Sequence, residues 1–133
     1  MAFVADNSVV LAWFIGSQST AYSEKMLRRV ALEPVHVPLV WSLEFANALR
    51  QLERRRKLKP EVTAELLDAV DALGLKSDAS PPGQRRLMGL ARQYELSVYD
   101  ASYLELAIRL ALPLATQDAA LAAAATRAGL KAG

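Results

Sequence analysis

The 133 residues include no cysteine and one histidine, 53% are hydrophobic, and 16 Lys+Arg stand against 14 Asp+Glu for a formal charge of +2. This excludes a disulfide scaffold, a thiolate nucleophile and a sulfur-bound zinc, and leaves a globular chain able to bury roughly two-thirds of its unfolded surface, read as one domain over residues 1–133. The apolar opening has no basic leader and contains Asp6, and no uncharged run approaches the roughly 20 residues of a membrane span, so a cytoplasmic chain is expected.

Residues 3–5 are a short apolar run ending at Asp6, and residues 8–14 continue with helix-compatible spacing, which reads as strand, tight junction and helix. Tyr22, Met26, Leu27 and Val30 recur at helical intervals and predict a second helix over 21–32, closed by Pro34. His36 lies inside the apolar triplet 35–37, a short strand stopped by Pro38. That setting favours a strand residue over a catalytic one, and nothing marks a partner nucleophile, which argues against a Ser-His-Asp hydrolase.

A long helix is predicted over 39–57. Trp41, Phe45, Ala48 and Leu52 form its core-facing stripe, with Glu44, Asn47 and Gln51 in a polar stripe beside it. Pro60 suits the first turn of the next helix, whose buried face is Val62, Leu66, Leu67, Val70 and Leu73 and whose end is Gly74. Residues 75–79 are ambiguous, and 80–83 form a turn. A helix over 84–94 follows, then an apolar run 96–99 leading to Asp100 and a helix over 101–110. Residues 113–116 read as a short strand ending near Asp118, before an Ala-rich helix to about 128. Gly129 punctuates that helix, and 130–132 are compatible with one edge strand. Strands separated by helices imply βαβ units, hence a three-layer α/β/α sandwich with a mainly parallel sheet.

Ligands of such sheets bind beyond the carboxyl ends of the strands. Asp6 and Asp118 fall at such ends, Asp100 falls where the run 96–99 gives way to a helix, and Glu44 comes from the first turns of the long helix. Each aspartate precedes a helix-like segment and is open to reading as an N-cap. Aspartate at all three junctions, joined by Glu44, shifts the balance towards a shared site. Two carboxylates about 5 Å apart repel by roughly 3 kcal/mol at an effective dielectric near 20, a penalty that a divalent cation reverses. Donors that are all oxygen favour Mg²⁺ or Mn²⁺ over Zn²⁺.

Four blocks, in order, carry a family resemblance: residues 3–10 (FVADNSVV), Pro38 with 44–49 (EFANAL), 99–107 (YDASYLELA) and 114–118 (LATQD). Together they resemble the PIN-domain nucleases and, more narrowly, the VapC-like toxins of bacterial and archaeal toxin–antitoxin pairs. The resemblance implies Asp6, Glu44, Asp100 and Asp118 as an acidic metal-binding quartet supported by Ser8, Asn47 and Thr116. It also implies a Mg²⁺- or Mn²⁺-dependent endoribonuclease acting on RNA, usually dimeric and silenced by a cognate antitoxin.

Arg50, Arg54 and Arg55, with Arg56, Lys57 and Lys59, crowd the end of the long helix, where cations complement the helix dipole and are also placed to grip phosphates. Two other classes share part of this pattern. A phosphoacceptor signalling domain also gathers acids and a Thr around Mg²⁺, but it needs a lysine after its last strand, where only Lys131 stands, and has no use for Glu44 and Asn47. A non-catalytic binding module would use the acids as helix caps and hold RNA or a protein without cutting.

Overall fold

The computed structural model describes residues 1–131 and 133. Four strands, β1 (Phe3–Ala5), β2 (Val35–Val37), β3 (Lys76–Ser77) and β4 (Leu114–Ala115), form one sheet in the order β3-β2-β1-β4. Every pairing is parallel, with Val4 opposite His36 on one side and opposite Leu114 on the other. His36 is therefore the strand residue its apolar flanks predict. Seven helices connect and cover the strands: α1 (Asn7–Phe14), α2 (Ala21–Val30), α3 (Trp41–Arg54), α4 (Pro60–Ala72), α5 (Gln84–Tyr94), α6 (Val98–Leu110) and α7 (Ala119–Arg127).

Alternation along the short strands decides the layers. Phe3 and Ala5 point into a core shared with Val9, Val10, Met26, Phe45, Leu49 and Val70 of α1 to α4. Val4, between them, faces the opposite core with Tyr103, Leu104, Leu106, Leu121 and Ala124 of α6 and α7. All three residues of β1 are fully buried, which is what a parallel strand covered on both faces requires. The fold is the expected α/β/α sandwich.

Several boundaries differ from the sequence reading, each for a local reason. α3 stops at Arg54 and not at Lys57 because Arg56 adopts a left-handed conformation (φ 57°). The amides of Arg56 and Lys57 then return to the carbonyls of Glu53 and Leu52 at 2.9 and 2.8 Å, a Schellman closure. In α4 only Val70 is fully buried, while Val62 and Leu67 are 38% and 41% exposed, so the apolar face expected there meets the core along part of its length. Gly74 ends α4 with φ +67° as predicted. The ambiguous segment 75–79 supplies the two-residue edge strand β3. Leu130 and Lys131 are not in a strand, and the third residue of the suggested edge strand, Ala132, lies outside the described residues.

The run 96–99 is not a strand. Ser97 accepts the Asp100 amide at 3.1 Å and caps α6, so Val98 and Tyr99 already belong to the helix. The loop before α5 is pinned to α6 by one guanidinium. Arg109 reaches Asp78 at 2.6 Å and buried Glu105 at 2.8 Å. Arg109→Ala leaves Glu105 buried without its counter-charge. Because Arg109 is about one-third exposed the loss is moderated by solvent, and chemical denaturation should show a destabilisation of about 1–3 kcal/mol. A loss under about 0.5 kcal/mol would mean that the pair is merely a surface contact.

Candidate functional site

The strand order 3-2-1-4 reverses between β1 and β4, and the crevice beyond their carboxyl ends is the standard ligand position of an open parallel sheet. Asp6 occupies that position. It is 5% exposed, and its carboxylate caps α1 by accepting the Val9 amide at 3.2 Å. The Ser8 hydroxyl donates to the same oxygen at 2.6 Å, and the Thr116 hydroxyl, from just beyond β4, donates to the other. Burial pushes the Asp6 carboxyl above the usual carboxylate range, opposed by these three hydrogen bonds and reinforced by the charge of Asp100.

Ser8 and Thr116 do more than hold Asp6. The Gln117 amide donates to Ser8 Oγ at 3.0 Å, and the Asp118 amide donates to Thr116 Oγ1 at 2.9 Å. The two hydroxyls therefore fasten the loop after β4 to the start of α1. Asp118 is exposed and caps α7 through the Leu121 amide at 2.9 Å.

Glu44 arrives from the first turn of α3 and is held by the Tyr103 hydroxyl at 2.6 Å. Burial is the main cause of its raised carboxyl pKa, opposed by Tyr103 and increased by the charges of Asp100 and Asp6. Asp100 sits in the first turn of α6, its pKa raised by burial and then by the charge of Asp118. Capping accounts for part of what Asp6 and Asp118 do, but not for Asp100, whose helix is capped by Ser97, nor for Glu44.

The structure thus brings Asp6, Glu44 and Asp100 into one electrostatic field, to which Asp118 is joined through Asp100. Among the described residues no lysine or arginine forms a salt bridge with any of them, and each coupling between two of the acids raises a pKa. Among the described residues no three acids are drawn tightly enough to form a metal cage by themselves. The donor chemistry nevertheless fits a hard divalent cation: every candidate ligand is a carboxylate oxygen, and the unrelieved repulsion is of the sign that a cation removes.

Asn47, one turn beyond Glu44 on α3, is exposed and lines an open cavity of ≈ 370 Å³ with Val40, Leu43, Glu44 and Tyr99. Farther along the same helix Gln51, Arg54 and Arg55 line a second depression. Arg50 is turned to Glu53, at 3.3 Å, in a solvent-exposed pair.

A family model described as the PIN domain matches residues 3–127. The chain belongs to the PIN domain family. The crystal structure of PAE2754 from Pyrobaculum aerophilum is similar in fold, with a TM-score of 0.72 and 23% sequence identity, over 93% of this chain and 79% of that one. No curated protein matches the sequence. PIN domains are generally metal-dependent nucleases that use divalent cations, a class consistent with the all-carboxylate donor set of this PIN domain. The phosphoacceptor reading falls with the family assignment.

Tyr103 is the site residue that the sequence reading missed. It stands three residues after Asp100, so one helix delivers both a site acid and the phenol that holds Glu44. The signal was present in the block 99–107, but an aromatic residue at helical spacing reads first as core, and Tyr103 is indeed 1% exposed.

The raised carboxyl pKa of Asp100 has a thermodynamic consequence. A folded-state pKa above the unfolded value means that Asp100 binds its proton more tightly in the folded chain, so its contribution to stability without metal falls as pH rises from the unfolded value of 3.8 upward. Asp100→Asn should flatten that fall, and the metal-free variant should melt higher than wild type at pH 7 but not at pH 3.5. Thermal melts over pH 3.5 to 8 in a chelator check this. Equal pH slopes would contradict the coupling.

Proposed function

We propose that this PIN domain is a Mg²⁺- or Mn²⁺-dependent endoribonuclease, one nuclease domain spanning residues 1–133. Asp6, Glu44, Asp100 and Asp118 form its acidic site, and Ser8, Asn47 and Thr116 support it. The observation that carries the reading is the buried carboxylate of Asp6 at the sheet's switch point, coupled to Glu44 and Asp100 and paired with no lysine or arginine among the described residues. A structural acid of this burial is normally paired with a base.

Asp6, Glu44 and Asp100 are the first-choice ligands, and Asp118, the most exposed of the four, completes the rim. A divalent cation supplies Lewis acidity and neutralises charge developing on the phosphodiester. The chain's own residues set the stage for it. Ser8 and Thr116 fix the Asp6 carboxylate from both sides, and Tyr103 fixes Glu44 through one oxygen and leaves the other unoccupied by that bond. Their hydrogen bonds favour the ionised acids, as ligation requires.

RNA meets an acidic pocket that repels phosphate until a cation is bound, so a basic rim is physically useful. Arg54, the last residue of the helix that carries Glu44, and Arg55, its C-cap, lie roughly 15 Å along the axis from Glu44. They supply this rim, with Arg50 a weaker contributor because Glu53 engages it. The narrower assignment is a cytoplasmic VapC-like toxin that works as a dimer and is neutralised by a cognate antitoxin. It rests on the order and content of the four sequence blocks.

Purified protein should cut single-stranded RNA in Mn²⁺ or Mg²⁺ and not in a chelator, and Asp100→Asn should abolish cutting while keeping its circular dichroism spectrum. Undiminished cleavage by that variant would remove Asp100 from the site, whereas RNA binding without any cleavage by wild type would favour the binding-module reading. Tyr103→Phe removes one hydroxyl and keeps the buried ring. Calorimetric titration with Mn²⁺ should show an affinity about 10- to 100-fold lower, the usual effect of losing a ligand's hydrogen-bond partner. Unchanged affinity would reduce Tyr103 to a packing role.

A further inference from the structure

One feature beside the acids serves neither the core nor the metal. Tyr99, the residue before Asp100, is 59% exposed although it lies in the first turn of a capped helix. Leu43, across the cavity on α3, is 72% exposed. With Val40 and Asn47 they wall the open cavity of ≈ 370 Å³ whose remaining lining residue is Glu44. The volume lies in the range of small-molecule sites, roughly 300–1,000 Å³. An aromatic ring and the Leu43 side chain, left in water beside half-buried Val40 around a cavity that touches the acidic site, are costly to the folded chain unless something covers them.

The walls describe the occupant. A flat aromatic ring offers a stacking face, Val40 and Leu43 offer apolar contact, and the Asn47 amide can both donate and accept at the edge of a ring. Glu44 disfavours phosphate in the same space, so the occupant is the uncharged part of a nucleotide whose phosphate lies at the acids. A basic patch would be needed to draw the backbone here, and no lysine or arginine lines the cavity.

We propose that this cavity is a nucleobase subsite, in which the base of a nucleotide flanking the scissile phosphate stacks on Tyr99 against Val40 and Leu43, with Asn47 at its edge. The inference rests on the nuclease reading and adds to it how the RNA strand is held in register. Stacking on an aromatic ring tolerates any base, and Asn47 supplies the preference among them. Tyr99 is a binding residue here, and with 59% of it exposed its removal empties no buried volume of the core.

The test uses an oligoribonucleotide with a mapped cut site, in Mn²⁺, with wild type, Tyr99→Ala, Tyr99→Phe and Tyr99→Trp. Losing one stacked base by alanine substitution corresponds to roughly a 5- to 150-fold weaker interaction, so Tyr99→Ala should raise KM by that factor with a smaller effect on kcat, while Phe and Trp stay within about 3-fold of wild type. Replacing one nucleotide next to the cut by an abasic residue should impose the same penalty on wild type and no further penalty on Tyr99→Ala. An unchanged KM for Tyr99→Ala overturns the subsite. So does a full Tyr99→Ala penalty on every abasic substrate, and so does indifference of wild type to abasic residues at both flanking positions. In those cases cleavage by wild type leaves the nuclease reading intact, whereas wild type that cuts no RNA overturns both.

Discussion

Burying the Asp6 carboxylate at the end of the central strand is the constraint around which the rest of the site is arranged. An ionised carboxyl removed from water is tolerable only if its oxygens find donors. Here they come from the Val9 amide and the Ser8 hydroxyl, both in the first turn of α1, and from Thr116 beyond β4. Meeting that demand draws together two strands that neighbour each other in the sheet but lie over a hundred residues apart in the chain. The same two hydroxyls then accept the amides of Gln117 and Asp118, so the position of Asp118 follows from the satisfaction of Asp6.

The fold treats its other buried acid in the opposite manner. Glu105 receives the Arg109 guanidinium, which also grips Asp78 and holds the Asp78 carboxyl below the usual range. That cluster sets one guanidinium between two carboxylates and acts as a structural clamp. At the switch point, by contrast, acid faces acid, and the hydrogen bonds from Ser8, Thr116 and Tyr103 favour ionised carboxylates where repulsion opposes them. A local rule broken in one place and obeyed in an adjacent layer supports the functional role proposed for the broken place.

How far the sequence could be read depends on the range of the force involved. Phe3, Val4 and Ala5 announce a buried strand because alternation and apolarity are local, and Gly74 announces a helix end because a left-handed residue is a local demand. The stripe on α3 was legible too, although its fully buried centre is Phe45 and Leu49, with Trp41, Ala48 and Leu52 only partly covered. Asp100 reads as the start of a helix after the run 96–99, whereas Ser97 within that run accepts the Asp100 amide and starts the helix at Val98. On α4 the periodicity was right and the burial incomplete, since periodicity says which residues share a face and not how much of that face a partner covers.

What the sequence determined by itself is the inventory: oxygen donors without sulfur, one histidine in a strand, βαβ alternation, and four blocks in an order that identifies the family. These are properties of residue type and spacing. Only the tertiary structure decided which acids share a field, because that depends on the strand order 3-2-1-4, which sets β1 beside β4 and so Asp6 within reach of Thr116. It alone paired Tyr103 with Glu44, 59 positions apart, and left Tyr99 in solvent while burying Tyr103 on the same helix. Two tyrosines one turn apart look alike in sequence. What surrounds each is set by long-range packing, and that surrounding makes one a support for an acid and the other an exposed ring.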